Sequence, residues 1–176
     1  MKKQSTRKIV NGGLLLALGM VLPFLTGQIP SIGSRLLPLH IPALLTGYIC
    51  GPLYGLLLGF ILPVFRSVIF GMPPMYPVAI AMAFELATYG FIAGLLYKVF
   101  PKKTIYVYLS LVIAMIAGRI VWGLASYVIL GIGGSTLSLE IFIAGAFLNA
   151  LPGILIQLLL IPAVVILLRK NKVINE

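Results

Sequence analysis

The sequence predicts an all-α membrane protein with six transmembrane helices and both termini in the cytoplasm. Three observations lead to this fold class: the 176-residue chain is 61% hydrophobic, only 9% of its residues are charged, and its mean hydropathy is +1.15. A soluble domain is about half apolar and about a quarter charged. A small globule cannot bury this many apolar side chains, because its surface is large relative to its volume. We therefore expect one transmembrane domain over residues 1–176, in contact with lipid.

The basic residues predict the orientation of the chain. Ten of the thirteen Lys and Arg residues fall in three clusters: Lys2, Lys3, Arg7 and Lys8; Lys98, Lys102 and Lys103; Arg169, Lys170 and Lys172. Because positive charge gathers in cytoplasmic loops, all three clusters belong on that side. The net charge of +10 thus reports orientation, and we expect no nucleic-acid partner.

The number of spans follows from the same clusters, since an even number of crossings must separate each cluster from the next. Three apolar runs separate the first two clusters. The run 38–70 would be about 50 Å long as one helix, against a hydrocarbon core of about 30 Å. Gly51-Pro52 lies near its middle and favours a break there. The predicted spans are 9–27, 38–50, 53–70, 78–97, 105–130 and 140–168.

The first span begins after a basic segment, as a secretory signal does. The run 9–27 is long for the apolar region of such a signal, and the rest of the chain is equally apolar. We therefore expect a first helix that stays attached, in a multi-pass protein of a prokaryotic plasma membrane.

Small residues four positions apart mark helix faces that allow close approach. Such pairs occur at Gly13 and Ala17 in the first span, and at Gly55 and Gly59 in the third. Packing within the bundle is one interpretation, and docking on another membrane protein is the other. Docking suits the first span best, because that span can lie at the periphery.

Ionisable and amide side chains inside the spans are the candidate functional residues, because such groups are costly in lipid and usually face a partner or a wet cavity. They are Arg66, Glu85, Arg119 and Asn149, with Arg35 and His40 near the outer entrance of the second span. At about 1.5 Å per residue, all of them fall in the outer half of the membrane. The sequence therefore predicts a polar pocket that opens to the outside.

Each candidate also has a structural interpretation. Glu85 and Arg119 would neutralise one another as an ion pair, and Arg66 would extend to the lipid headgroups. His40 would be a hydrogen-bonded interface residue. The aromatic residues near the outer face would form either a belt at the membrane interface or a pocket wall; they are Tyr76, Trp122, Tyr127 and Phe142.

Motifs of catalysis are missing from the sequence. It contains no phosphate-binding loop of the pattern G-x-x-x-x-G-K-[ST] and no H-E-x-x-H zinc motif,. One His and one Cys exclude a multi-histidine or cysteine-rich metal site. An intramembrane hydrolase that uses Ser67 and His40 has no support beyond the presence of both residues. We therefore expect no enzyme activity, no metal and no cofactor.

Residues 39–55, LHIPALLTGYICGPLYG, carry a resemblance to a known family. They are similar to the pattern (D/H)-(V/I)-P-x-L-L-x-G-x-x-x-G-P of helices 2 and 3 in the substrate-binding S components of energy-coupling factor (ECF) vitamin transporters. The resemblance implies a vitamin-binding subunit that works with a transmembrane coupling protein and two cytoplasmic ATPases. It also implies an outer pocket built from helices 4 to 6 and the outer loops. The family's A-x-x-x-A docking motif on helix 1 is G-x-x-x-A here, at Gly13 and Ala17.

The charge of the pocket residues predicts the substrate class. Arg35, Arg66 and Arg119 carry three positive charges, His40 adds one only when it is protonated, and Glu85 is the one acidic group among them, which leaves an excess of about two positive charges,. An anionic vitamin would complete such a site. Pantothenate is the leading candidate, with its hydroxyls and amide on Asn149 and Tyr76, and riboflavin, stacked on Trp122, Tyr127 or Phe142, is the second. A self-sufficient secondary transporter or an intramembrane enzyme is the alternative from another class.

Overall fold

The structure is a computed structural model that describes residues 2–26, 29, 32, 35–134, 138–171 and 174. All regular secondary structure in these ranges is helical. The helices are α1 (Lys2–Val21), α2 (His40–Cys50), α3 (Pro52–Phe70), α4 (Ile80–Val99), α5 (Thr104–Ile132), α6 (Leu139–Ile143) and α7 (Leu151–Lys170). A 3-10 turn, Leu22–Thr26, extends α1, and π-helical turns at Met75–Ala79 and Ala144–Leu148 precede α4 and α7.

Five helical segments of the described chain are long and apolar enough to cross a membrane. They correspond to α1 with its 3-10 turn, α3, α4 with its π-helical turn, α5 and α7, while α2 is a shorter apolar helix. The predicted all-α membrane fold is confirmed.

The break between α2 and α3 lies at Gly51, where the sequence places it. Gly51 has a φ of 99°, which favours glycine, and its N–H donates to the Gly47 carbonyl at 3.1 Å. Helix α2 has 11 residues and is therefore about 16 Å long, roughly half the thickness of the hydrocarbon core. All of its residues except Ile49 are buried. This short helix lies inside the bundle, surrounded by protein.

Glycines bring α2, α3 and α4 into backbone contact. A Cβ atom at Gly90 of α4 would overlap the backbone of Gly55 in α3, and one at Gly47 of α2 would overlap the Gly90 carbonyl. By contrast, a Cβ at Gly13 of α1 would meet nothing within 4 Å, and Ala17 is exposed. The small residues of α3 and α4 thus pack within the bundle, whereas the pair on α1 faces outward.

The sixth predicted span, 140–168, is not one continuous helix. It divides into α6, the π-helical turn and α7, with Asn149 and Ala150 in a turn before α7. Pro152 lies in the first turn of α7, a position that proline favours, and proline disfavours helical backbone at the residue before it. Asn149 is exposed in the turn before α7, and the predicted span is interrupted there.

The three basic clusters meet at one end of the bundle. Arg169 of α7 donates to the Lys102 carbonyl between α4 and α5 at 2.6 Å, and Lys8 of α1 lines a cavity together with Lys98 and Lys102. An even number of membrane crossings between successive clusters requires this arrangement.

Replacement of Gly90 by leucine tests the close packing of α3 and α4. The new side chain would collide with backbone atoms of Gly55, which cannot move aside as a side chain can. We expect the free energy of unfolding to fall by about 3 kcal/mol or more, measured on the purified chain in detergent. Gly12→Leu is the matched control, because a Cβ there meets nothing within 4 Å; an equal loss in both variants would contradict the packing argument.

Candidate functional site

Three helices meet at the carboxylate of Glu85 in α4. Its Oε1 atom lies 2.8 Å from Nη1 of Arg119 in α5 and 3.3 Å from Nε2 of His40, the first residue of α2. The exposed fractions are 1% for Glu85, 5% for Arg119 and 1% for His40. The structural interpretation of Glu85 as the ion-pair partner of Arg119 therefore agrees with the contacts, and His40 joins the same group.

Tyr89 completes this buried cluster and was missed by the sequence analysis. Its ring packs edge-on against the ring of His40, with centroids 5.2 Å apart, and a Cβ at Gly118 would overlap it. Gly118 thus lets α5 approach α4 closely, which brings the neighbouring Arg119 to Glu85. The signal that would have found Tyr89 is its place one helical turn after Glu85, on the same face.

The pairing changes the charge balance that the sequence suggested. Glu85 compensates Arg119 within the cluster, and Arg35 is exposed, so neither contributes a buried excess charge. The predicted excess of about two positive charges is reduced to one buried group, Arg66.

Arg66 lies in a different set of contacts. Its Nη1 atom donates to the Met20 carbonyl, and its guanidinium lies 4.9 Å and 5.0 Å from the ring centroids of Phe24 and Phe70. The side chain is 1% exposed. Arg66 therefore attaches the end of α1 to α3 through a carbonyl and two aromatic rings; it does not extend to headgroups.

Several buried polar side-chain atoms make no hydrogen bond within the described part of the chain. They include Nε and Nη2 of Arg119 and both amide atoms of Gln157 in α7. Leaving such groups unsatisfied costs about 1–3 kcal/mol each, so these atoms indicate a polar ligand or water. Gln157 was not among the predicted site residues, although it is an amide side chain in an otherwise apolar span.

Trp122 of α5, about one turn after Arg119, packs against a second aromatic residue, Phe142. The rings of Trp122 and Phe142 stack with centroids 6.0 Å apart and an interplanar angle of 23°. Gly123 leaves the space for the Phe142 ring, since a Cβ there would overlap it. We call Trp122 and Phe142 the aromatic wall.

The remaining predicted site residues lie apart from these contacts. Tyr76 donates from its hydroxyl to the Ile129 carbonyl at 2.6 Å, which holds the turn before α4 against α5. Tyr127 is 63% exposed, as a membrane-interface residue would be. Asn149 and Arg35 are also exposed. The structure thus joins His40, Glu85 and Arg119 directly and leaves the other candidates outside this cluster.

Comparison with protein families adds an independent finding. A family model described as "ECF transporter, substrate-specific component" matches residues 7–165. The comparisons with curated proteins and with solved structures find no match. The matched range includes the whole cluster around Glu85 and the aromatic wall.

Removal of the Glu85 charge tests the cluster. In Glu85→Gln the Arg119 charge stays buried without its acidic partner, and loss of one member of a buried pair costs about 3–5 kcal/mol. We expect the double variant Glu85→Gln/Arg119→Gln to lose less than the sum of the single variants, with a coupling of at least about 1 kcal/mol. The measurement is the free energy of unfolding in detergent. Glu140→Gln, at an exposed acidic residue, is the control, and additive single losses would contradict a direct interaction.

Proposed function

This chain belongs to the substrate-specific components of ECF transporters, and we propose that it captures a small anionic vitamin in the outer half of the membrane for ATP-driven import. Members of this family are non-catalytic, substrate-binding subunits in the plasma membrane, and membership implies association with an ECF module. The proposal adds the chemical class of the substrate and the residues that bind it. It also adds that the module consists of one coupling protein and two ATPases, on the side of the membrane where the three basic clusters lie.

The geometry of Arg119 carries the substrate proposal. Its Nη1 atom is held by Glu85, while Nε and Nη2, on the other edge of the guanidinium, are buried without a hydrogen bond of normal geometry; the Tyr89 hydroxyl is the nearby group that interacts with the guanidinium. A carboxylate can accept one hydrogen bond from each of these two atoms. Glu85 thus orients the guanidinium, and its free edge supports recognition of an anionic group.

Pantothenate is our leading candidate for the substrate. It offers a carboxylate for Arg119 and an amide and hydroxyls for neutral polar groups. Gln157 is buried without a hydrogen bond to the described residues and supplies both a donor and an acceptor. Tyr76 and Asn149 lie nearer the surface and would contact the ligand only at the entrance.

Riboflavin is the second candidate, and the aromatic wall is the observation that favours it. The nearly parallel rings of Trp122 and Phe142 present a flat surface of the kind on which a ring system stacks. In that case Arg119 and Gln157 would bind neutral carbonyl oxygens. The two candidates differ in whether a carboxylate is required.

A vitamin panel with Arg119 variants tests the proposal. We expect pantothenate to stabilise the purified chain by about 2.7 kcal/mol at one hundred times its Kd, measured by thermal shift. Arg119→Lys keeps a positive charge for Glu85 but loses the two-donor edge, so binding should weaken at least about tenfold. The control Arg66→Lys changes a buried arginine outside the cluster and should leave affinity unchanged. Stabilisation by riboflavin alone, unaffected by Arg119→Lys, would contradict an anionic substrate.

Docking on the coupling protein is assigned to the outward face of α1 around Gly13 and Ala17. A Cβ at Gly13 meets nothing within 4 Å, and Ala17 is exposed, so the chain itself leaves this face open. Small residues there permit close approach of a partner helix.

Ala17→Trp tests this docking face. A bulky side chain should prevent close approach and abolish vitamin uptake by the assembled transporter, while vitamin binding by the isolated subunit stays within about twofold. Leu18→Trp is the control, because Leu18 is also exposed, at 41%, but lies about 100° further around the helix. Uptake by the purified chain alone in liposomes would instead favour a self-sufficient transporter.

A further inference from the structure

A cavity of about 490 Å³ lies at the end of the bundle where the basic clusters meet. Its lining includes Arg7 and Lys8 from α1, Tyr97 and Lys98 from α4, Lys102 from the turn after α4, and Ile174. We call it the basic cavity. Its volume falls within the range of about 300–1,000 Å³ that is typical of ligand pockets, and it is separated from the Glu85 cluster along the bundle.

The charge of the basic cavity is strongly positive. Four of its lining residues are Lys or Arg, and none of those in the described part of the chain is acidic. The sequence holds three acidic residues. Glu85 pairs with Arg119, Glu140 belongs to α6, and Glu176 lies outside the described residues. Clustered charge of one sign raises the local concentration of the opposite ion. We therefore expect an anion beside Lys8, Lys98 and Lys102 in this cavity.

The ammonium group of Lys102 is held in place by Tyr97. Its ammonium donates to the Tyr97 carbonyl and lies 4.1 Å from the centroid of the Tyr97 ring. Burial, and secondarily the charge of Arg169, lower the pKa of Lys102. A bound anion would offset the cost of burying the Lys102 charge.

The walls of the cavity are apolar. Ile49 and Leu53 flank the Gly51 break between α2 and α3, and Ile174 lies nearby and is buried. Lys8 and Lys98 are exposed near the ends of membrane-spanning helices, the level at which lysine ammonium groups reach lipid headgroups. A phospholipid presents the matching chemistry, a phosphate next to apolar chains, and basic pockets between helices on the cytoplasmic side bind anionic headgroups.

We propose that the basic cavity is a binding site for a phosphate group, supplied by an anionic phospholipid of the adjacent leaflet or by soluble phosphate. The site is independent of the vitamin site, because it uses different residues at the other end of the bundle. Its ligand binds through charge-assisted hydrogen bonds from Lys8, Lys98 and Lys102.

Native mass spectrometry of the full chain, purified in detergent and offered equal amounts of phosphatidylglycerol and phosphatidylcholine, tests the site. We expect phosphatidylglycerol to be retained at least about tenfold more, and Lys8→Gln/Lys98→Gln to lose most of this preference. Both side chains are exposed, so the variant should fold and bind vitamin normally. The control Lys103→Gln/Lys170→Gln removes two exposed charges from the same end of the bundle that do not line the cavity.

A thermal-shift titration with inorganic phosphate distinguishes the two sources. Stabilisation by phosphate that is lost in Lys8→Gln/Lys98→Gln, without preferential lipid retention, assigns the site to a soluble anion. Preferential lipid retention that is lost in the same variant assigns it to the headgroup. Equal effects in the two double variants, or no preference in the unmodified chain, would overturn the proposal.

Discussion

The ion pair between Glu85 and Arg119 is the interaction on which the rest of this bundle depends. A carboxylate 1% exposed in a membrane-spanning helix is costly unless an opposite charge lies beside it. Here the opposite charge comes from α5, and His40 adds a contact from α2, so that one side chain fixes three helices relative to each other. Any rearrangement that separates α4 from α5 would leave two buried charges without a partner.

The short helix α2 is possible because the bundle encloses it. Eleven residues do not span a hydrocarbon core of about 30 Å, and the ends of a helix carry unsatisfied backbone groups that lipid cannot serve. Gly51 turns the chain directly into α3, and Gly47 lets the backbone of α4 approach. Protein thus surrounds α2. His40 is the first residue of this helix and lies beside Glu85.

Sequence reasoning reached the all-α membrane fold because this fold depends on composition and charge, which act locally. The Gly51 break followed from helix length and proline chemistry, and the Glu85–Arg119 pair from the cost of buried charge. The acceptor that each arginine contacts depends on how the helices are rotated and on which helices are neighbours. Neither can be inferred from the residues next to the arginine in a single sequence. For that reason Arg66 was grouped with the pocket, although it contacts Met20, Phe24 and Phe70. The turn at Asn149 was missed because the span 140–168 is long and mainly apolar, and its hydropathy outweighed Pro152 as a start signal for α7.

The cluster around Glu85 and the basic cavity differ in how their positive charge is compensated. In the cluster around Glu85, Arg119 is compensated by the chain itself, and the proposed ligand would meet the Nε and Nη2 atoms of its guanidinium. Such a site can release its ligand without leaving a bare buried charge, which suits a subunit that must bind and then deliver its substrate. In the basic cavity no described lining residue is acidic, so the counter-charge must come from outside that lining. For the two proposed sites, compensation by Glu85 allows the vitamin to leave Arg119, whereas the proposed phosphate group supplies the negative charge that the described lining of the basic cavity lacks.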